Sequence, residues 1–295
     1  MQIIMYQANA FTDELFEGSP TGIVPDASNL TEEDMKRIVK ITNLDKIAFV
    51  TKNDDECYTI RFFTPEEEIT FCDCGSVASF YALAQRGYIK GVKNGVVRVY
   101  QCSKVGKKPI DIYFKDWQVE KVELYEDRPI SLGQYSNLEE LSSILNINKE
   151  DIGIGTMNLK PEILFTGIKD MIIPVRSNDI IDNLTLNMNK LKNSIGMSDL
   201  DKIHVFSIDE NEIINYKNFE FMRSEDCVNE DTSSGLIYYI KKNKLLNKDN
   251  IIYRDKSFTN RHNYIHCEII EGKEGFPMKI AGRASIYLEG VVTFG

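Results

Sequence analysis

Apolar and polar residues alternate along the first half of the chain in short runs that predict strands. The segments IAFVTK and CYTIRFFT are bounded by the polar turn NDDE and form one predicted strand pair. Further strand-like runs lie at 3–11, 95–101 and 110–114. Their lengths are ordinary for strands of a mixed α/β protein.

Two segments between these strands have the spacing and end signals of helices. Residues 29–42 place apolar residues on one face, with Thr31 as N-cap and Asp34 at the capping-box position. Residues 74–89 predict a second helix, which ends at Gly87.

The second half repeats this mixture of strands and helices after a segment, 115–132, that we interpret as a bridge. Residues 219–243 resemble residues 60–84, because each stretch runs from an apolar strand through an acidic turn into an amphipathic helix. Gly75 can be laid on Gly235 in this alignment. The pattern suggests an internal duplication with two similar half-domains.

The composition agrees with two folded domains. The chain has 295 residues, of which 42% are hydrophobic, enough for a core in each half. We place the boundaries at 1–120 and 130–295, and we allow the last strand to return to the N-terminal half.

The charge and the termini limit the classes of partner. A formal net charge of −10 disfavours nucleic acid, whose phosphates an acidic surface repels. The sequence has no signal peptide and no apolar run long enough to cross a membrane. We therefore expect a cytoplasmic protein whose six cysteines are mostly free thiols.

The segment TFCDCGSVAS carries the most informative cysteines. Cys72 and Cys74 stand where the second predicted helix begins, a position that lowers the pKa of a thiol and favours the thiolate. The competing interpretation is packing, because small thiols fit well where a helix meets a sheet. Cys57 and Cys102 lie inside strand patterns, and we assign them to packing. A C-x-C pair alone is half of a metal site, so we predict no metal.

Other catalytic classes lack their motifs. The chain contains no G-x-S-x-G elbow, no phosphate loop and no dinucleotide fingerprint. Acid/base chemistry remains, with Asp231, which precedes TSSG, as the most informative carboxylate. Helix N-termini attract carboxylates, so we expect two of them to hold a small carboxylate in a shared cleft. The N–H groups expected to bind it belong to Gly75, Ser76, Ser234 and Gly235.

Several of these stretches together resemble one family, the phenazine-biosynthesis PhzF-like proteins of the diaminopimelate-epimerase-like fold. NAFTDELFEGSPTGIV is similar to the family's opening signature D-A-F-x-x-x-x-F-x-G-N-P-x-x-V, and RFFTPEEEITFCDCGS to R-x-F-T-P-x-x-E-x-x-x-C-G-H-x-T. NEDTSSG resembles E-D-P-x-T-G-S, and GRASIYLEG resembles the closing strand. The matches follow in order from residue 9 to residue 290.

The resemblance implies a fold and an activity. The fold is α/β (α+β), with two similar half-domains that each wrap a barrel-like mixed sheet around a central helix, often in a homodimer. The activity is a cofactor-independent isomerisation that moves a proton, and with it a double bond, on a small carboxylated substrate. In the phenazine branch that substrate is a dihydro-hydroxyanthranilate.

The sequence departs from the family at positions where the family's site residues stand. Lys46 replaces the acid/base Glu, Cys74 replaces the His, and Asp73 replaces the Gly before it. Ser19 replaces the Asn of G-N-P, whereas the acid is retained as Asp231. Leu236 stands where the family has a Ser.

Two hypotheses follow from these departures. The first is an isomerase that uses Asp231, Cys74, Cys72 and Lys46 as catalytic groups, with the substrate bound by Ser19, Asp73, Gly75, Ser76, Ser234 and Gly235. The second is a catalytically lapsed relative that binds a ligand or has a regulatory role. Deuterium uptake by a bound acid distinguishes them.

Overall fold

The computed structural model describes residues 1–294 except for 13, 16, 55, 70–71, 104–105, 167, 195–198, 221–233, 249, 256–262 and 272–277. The described residues form two compact units. The first contains those of 1–126 and 263–294, and the second contains those of 127–220 and 234–255.

The first unit contains most of the strands. Its elements, in chain order, are β1 (Gln2–Ala10), β2 (Ser19–Val24), α1 (Glu32–Thr42), β3 (Ile47–Lys52), β4 (Cys57–Phe63), β5 (Glu68–Ile69), α2 (Asp73–Gln85), β6 (Asn94–Ser103), β7 (Gly106–Lys115) and β8 (Gln118–Glu126), then, after the second unit, β15 (Asn263–Glu271), β16 (Met278–Gly282) and β17 (Ala284–Thr293).

The sheet of the first unit curls around α2. Its strands pair in the order β17-β1-β2-β3-β4-β6-β7-β8-β16-β15, with β2–β3 and β4–β6 parallel and the other pairs antiparallel. Only Arg283 separates β16 from β17, so one continuous segment joins the two sides of the curl. Helix α2 packs against β1, β2, β3, β7, β8 and β17. Most of its residues are buried, as expected of a helix that is apolar on all sides.

The second unit has a smaller sheet with helices along it. Its elements are β9 (Ile130–Gln134), α3 (Leu138–Leu145), a short 3₁₀ helix (Lys149–Asp151), β10 (Glu162–Phe165), β11 (Lys169–Pro174), α4 (Asn178–Asp182), α5 (Met188–Asn193), β12 (Lys202–Ile208), β13 (Ile213–Glu220), α6 (Ser234–Lys242) and β14 (Asn250–Asp255). The strands pair in the order β9-β10-β11-β12-β13-β14, with β11–β12 and β13–β14 parallel.

Both units share one connectivity. In the first, the antiparallel pair β1–β2 leads through α1 to β3, then to β4, and through α2 to the parallel strand β6. In the second, β10–β11 leads through α4 and α5 to β12, then to β13, and through α6 to β14. Gly75 and Gly235 each lie in the first turn of the corresponding helix. This shared order is what the suspected duplication predicts.

Local predictions near the first helix are confirmed. Thr31 caps α1, its hydroxyl accepts from the Asp34 N–H at 3.2 Å, and the Asp34 carboxylate accepts from the Thr31 N–H at 3.0 Å. Met35, Ile38 and Val39 form its buried face.

Residues 115–132, which we interpreted as a bridge, contain the boundary between the two units after Glu126, but most of the segment is strand. The segment contains all of β8, whose Val122 and Leu124 are buried, and it runs into β9. The opposite face of β8 carries Glu123, which is 1% exposed. Its carboxylate accepts from Lys279 Nζ at 3.1 Å. A charged residue considered alone predicts a surface segment. Lys279 of β16, 156 residues later, pairs with Glu123 and so allows β8 to bury this charge.

Across the part of the chain that the structure describes, no helix has the length and apolar character needed to cross a membrane.

Candidate active site

The site begins at the first turn of α2, where both cysteines of the TFCDCGSVAS segment lie as predicted. Cys72 is the N-cap in an extended conformation, and its Sγ accepts from the Gly75 N–H at 3.2 Å. The Ser76 N–H donates to the Cys72 carbonyl at 2.9 Å. Two N–H groups that we expected to bind a carboxylate therefore already have acceptors inside the helix.

Gly75 is required by close packing. An added Cβ would lie 2.7 Å from Phe62 Cε1 and 3.0 Å from Cys72 Sγ. Phe62 is a fully buried residue of β4, so its ring cannot move away cheaply. The absence of a side chain lets α2 start against β4 and fixes the position of Cys74.

Lys46 reaches this turn from the residue just before β3. Its Nζ donates to Cys74 Sγ at 2.8 Å, and Cys74 Sγ lies 3.3 Å from Cys72 Sγ. Lys46 is only 5% exposed and both cysteines are 0% exposed. The Lys46 carbonyl accepts from the Gly22 N–H of β2 at 3.0 Å. This hydrogen bond holds the backbone of Lys46 in place. Three polar groups from two elements thus meet in the core of one unit.

The charges explain how this cluster can be stable. A buried ammonium is costly unless an acceptor, preferably an anion, lies beside it. A thiol near a cation and a helix N-terminus favours the thiolate form. Two protonation states satisfy this hydrogen bond, ammonium with thiolate and amine with thiol. Asp73, the first residue of α2 and the neighbour of Cys74 in sequence, is also buried at 5% exposure.

Hydroxyl groups occupy the strand and the helix that pack together next to this cluster. Ser19 and Thr21 share one face of β2, and Ser76 and Ser79 lie one turn apart on α2. All four are buried, and within the described residues their hydroxyl oxygens have no hydrogen-bond partner. A buried hydroxyl normally has one, so this arrangement fits a polar ligand or water. Sequence analysis found Ser19 and Ser76 but missed Thr21 and Ser79, although the S-P-T alternation is the signal for Thr21.

Of the three site residues predicted in the second half, the structure places two and leaves one out. Ser234 and Gly235 begin α6, with Ser234 partly buried and Gly235 buried. Leu236 follows them at 1% exposure. Asp231 lies outside the described residues.

The second unit contains a buried pair that the sequence did not reveal. His204 Nδ1 of β12 lies 2.8 Å from Asp170 Oδ2 of β11, and neither side chain is more than 2% exposed. The neighbour that matters is 34 residues away, and only the parallel pairing of β11 with β12 brings the two together. No cluster of three or more potential metal-ligating side chains occurs within the described ranges.

Comparisons with known proteins extend over the whole chain. The family model of the phenazine biosynthesis-like proteins matches residues 8–290. An uncharacterized isomerase of Clostridium acetobutylicum is 28% identical over 297 residues, which covers 96% of this chain and 95% of that protein. The uncharacterized isomerase YddE of Escherichia coli (strain K12) is 29% identical over 192 residues, or 63% of this chain and 61% of that protein.

Solved structures share the fold. A PhzF-family protein of Bacillus anthracis matches with a TM-score of 0.79 at 24% identity, over 100% of both chains. A predicted epimerase of Pseudomonas aeruginosa matches with a TM-score of 0.77 at 13% identity, over 99% of this chain and 100% of that one. A hydroxyproline epimerase of Agrobacterium vitis matches with a TM-score of 0.61 at 10% identity, over 99% and 92%. The fold is thus the diaminopimelate-epimerase type.

Proposed function

Since the chain belongs to the family of phenazine biosynthesis-like proteins, we propose that it is a cofactor-independent isomerase that moves a proton on a small carboxylated substrate. The observation that supports this proposal is the buried contact of Lys46 Nζ with Cys74 Sγ. It keeps a proton-transfer pair in a site where the sequence has lost the Glu and His of the family pattern.

The pair can perform both halves of a proton shift. As thiolate and ammonium, Cys74 Sγ removes a proton from a carbon of the substrate, and the electron pair left behind delocalises into the adjoining unsaturated or carboxyl group. The Lys46 ammonium stabilises the negative charge that develops there. Return of a proton to another carbon moves the double bond, and no atom is gained or lost. Asp231, proposed from the resemblance alone, is the second acid/base group.

The rest of the cluster binds and orients. The hydroxyls of Ser19 and Ser76 are buried and available to a substrate oxygen. The start of α2 lies beside these hydroxyls, and the helix dipole there favours an anion. Cys72 holds the turn in place through its bond from the Gly75 N–H. These roles suit a compact acid with one carboxylate near the reacting carbon.

Hydrogen exchange tests the proposal directly. The protein is incubated in heavy water with a panel of small amino, hydroxy and unsaturated acids, and NMR follows the C–H signals. Thermal shift measures binding of the same acids. We expect at least one acid both to raise Tm and to exchange a carbon-bound hydrogen, and Cys74→Ala to abolish the exchange. Acids that raise Tm without any exchange would instead indicate a binding protein, and a panel with neither effect would contradict the carboxylate class.

A further inference from the structure

A second pair of cysteines lies on the sheet of the first unit. Cys57 begins β4, and Cys102 is near the end of β6, where it is the parallel partner of Thr59. Their sulfurs are 2.6 Å apart, compared with 3.3 Å between those of Cys72 and Cys74. This separation is close to the covalent S–S bond of about 2.0 Å. The backbone therefore already places the two sulfurs near the distance at which a disulfide bond forms.

The pair faces away from α2. Tyr58 packs its ring edge against Phe80 of α2, with the ring centres 5.9 Å apart. Side chains alternate between the faces of a strand, so Cys57 and Thr59 point to the other face. Cys57 and Cys102 are thus separated by the sheet from the turn that carries Cys74.

We propose that Cys57 and Cys102 are an oxidisable dithiol that forms an intramolecular disulfide by exchange with a small-molecule disulfide. Cys102, the more exposed of the two, attacks one sulfur of the oxidant as a thiolate, forms a mixed disulfide and releases one thiol. Cys57 then loses its proton, attacks the Cys102 sulfur and releases the second thiol. The protein loses two hydrogens, and the small disulfide is reduced to two thiols.

The surroundings set the rate of this step. Burial, followed by the hydrogen bond with Cys57, raises the pKa of Cys102 to about 11. Lys107, which is opposite Cys102 on β7, acts in the other direction, and Asp54, in the turn before β4, adds to the rise. Thiolate is therefore scarce at neutral pH, and the exchange rate should increase by roughly tenfold per pH unit between pH 7 and pH 10.

The link would stabilise the first unit. It closes a loop that contains all of β4, β5 and α2 and most of β6. Closing a loop of this length lowers the conformational entropy of the unfolded chain. Oxidation should therefore raise Tm by roughly 5 °C or more. Because the pair and the Lys46–Cys74 contact lie on opposite faces, the inference stands independently of the proposed isomerase activity.

The test uses the full chain with oxidised glutathione at pH 7 and at pH 9, followed by blocking of free thiols and peptide mapping without reduction. We expect a peptide that joins Cys57 to Cys102, formed faster at pH 9, together with a higher Tm that dithiothreitol reverses. The variant Cys72→Ala/Cys74→Ala is the matched control, and it should form the same link.

Removal of either partner must abolish the effect. Cys102→Ser, a change at a partly exposed position, and Cys57→Ser are first checked for a native circular dichroism spectrum, and each should lose the link and the Tm shift. If Cys57→Ser misfolds and Cys102→Ser does not, the loss of the link and of the Tm shift in Cys102→Ser tests the proposal. A protein that remains fully alkylated at both positions after prolonged oxidation at pH 9, or that links Cys72 to Cys74 instead, overturns the proposal.

Discussion

Lys46 Nζ donates to Cys74 Sγ at 2.8 Å in the interior of the first unit, where neither side chain exceeds 5% exposure. The two residues are 28 positions apart, and each replaces a residue of the family's motifs. Changing only one of them would remove the buried contact that joins the two. Their contact argues that the two replacements belong together, and it makes the cluster a defined target for mutation.

Lys46→Met should reduce the rate of hydrogen exchange by about 100-fold or more, because the substitution removes the cation that stabilises the developing charge. NMR exchange in heavy water measures the rate, and thermal shift checks that the acid still binds. Lys36→Met, at a half-exposed residue of α1 that pairs with Glu32 at 2.8 Å, is the control and should leave the rate unchanged. Equal rates in the wild type and in Lys46→Met would exclude Lys46 from the reaction.

Cys72 should contribute to stability through its cap rather than through any sulfur chemistry. Cys72→Ser keeps an acceptor for the Gly75 N–H, so we expect its free energy of unfolding to stay within about 1 kcal/mol of the wild type. Cys72→Ala removes the acceptor and should cost about 1 kcal/mol more than Cys72→Ser. Urea denaturation measures both. If the serine and alanine variants lose the same free energy, the capping role is wrong.

Gly75→Ala should destabilise the protein by roughly 1–3 kcal/mol, because its methyl group would overlap the Phe62 ring. Gly290→Ala is the matched control: the nearest atom to its added Cβ is Leu288 Cδ2 at 3.8 Å, so little change is expected. The double variant Phe62→Leu/Gly75→Ala should lose less free energy than the sum of the single variants. Strict additivity would show that the ring is not the obstacle.

Asp111→Asn should lower stability in a pH-dependent way. Burial opposes ionisation of Asp111, but hydrogen bonds from Arg98 and Tyr125 outweigh it and hold the pKa of the carboxyl below its usual value. A carboxyl whose pKa is lower in the folded state than in the unfolded state stabilises the fold at pH values above its unfolded-state pKa. This contribution is lost as the pH falls through the folded-state pKa. The gap in unfolding free energy between the wild type and Asp111→Asn, roughly 1–3 kcal/mol at pH 7, should therefore narrow below about pH 4.

Urea denaturation at several pH values measures this gap. Asp116→Asn, the same substitution at an exposed turn residue, is the control and should show no comparable change. A gap that persists undiminished at pH 2 would mean that the charge of Asp111 is not its cause.

Local patterns predicted much of the first unit. The capping box of Thr31 and Asp34, the strand pair around residues 53–56 and the position of Cys72 and Cys74 at a helix start all depend on neighbours within a few residues. Such signals are complete in the sequence itself. The family resemblance placed Lys46 among the site residues.

Long-range partners account for what the sequence did not predict. The bridge interpretation left out strand β8, whose buried Glu123 has its partner Lys279 156 residues away. Lys46 contacts the thiol of Cys74, which the packing of α2 inside the sheet brings close. Cys57 and Cys102 were assigned to packing because each was judged within its own strand, and the parallel register of β4 and β6 places them together.

The route of the chain has a consequence for biosynthesis. Strand β17 pairs with β1 and packs on α2, but it follows the whole second unit in sequence. A ribosome delivers the N-terminal end first, so the second unit can fold on emergence while one side of α2 still lacks its covering strand. The first unit, whose helix α2 contains Cys74, should thus remain an incompletely folded, chaperone-sensitive intermediate until the last strands have left the ribosome. Nascent chains stalled before residue 278 should be cleaved by protease within 1–126, and full-length chains should be protected there.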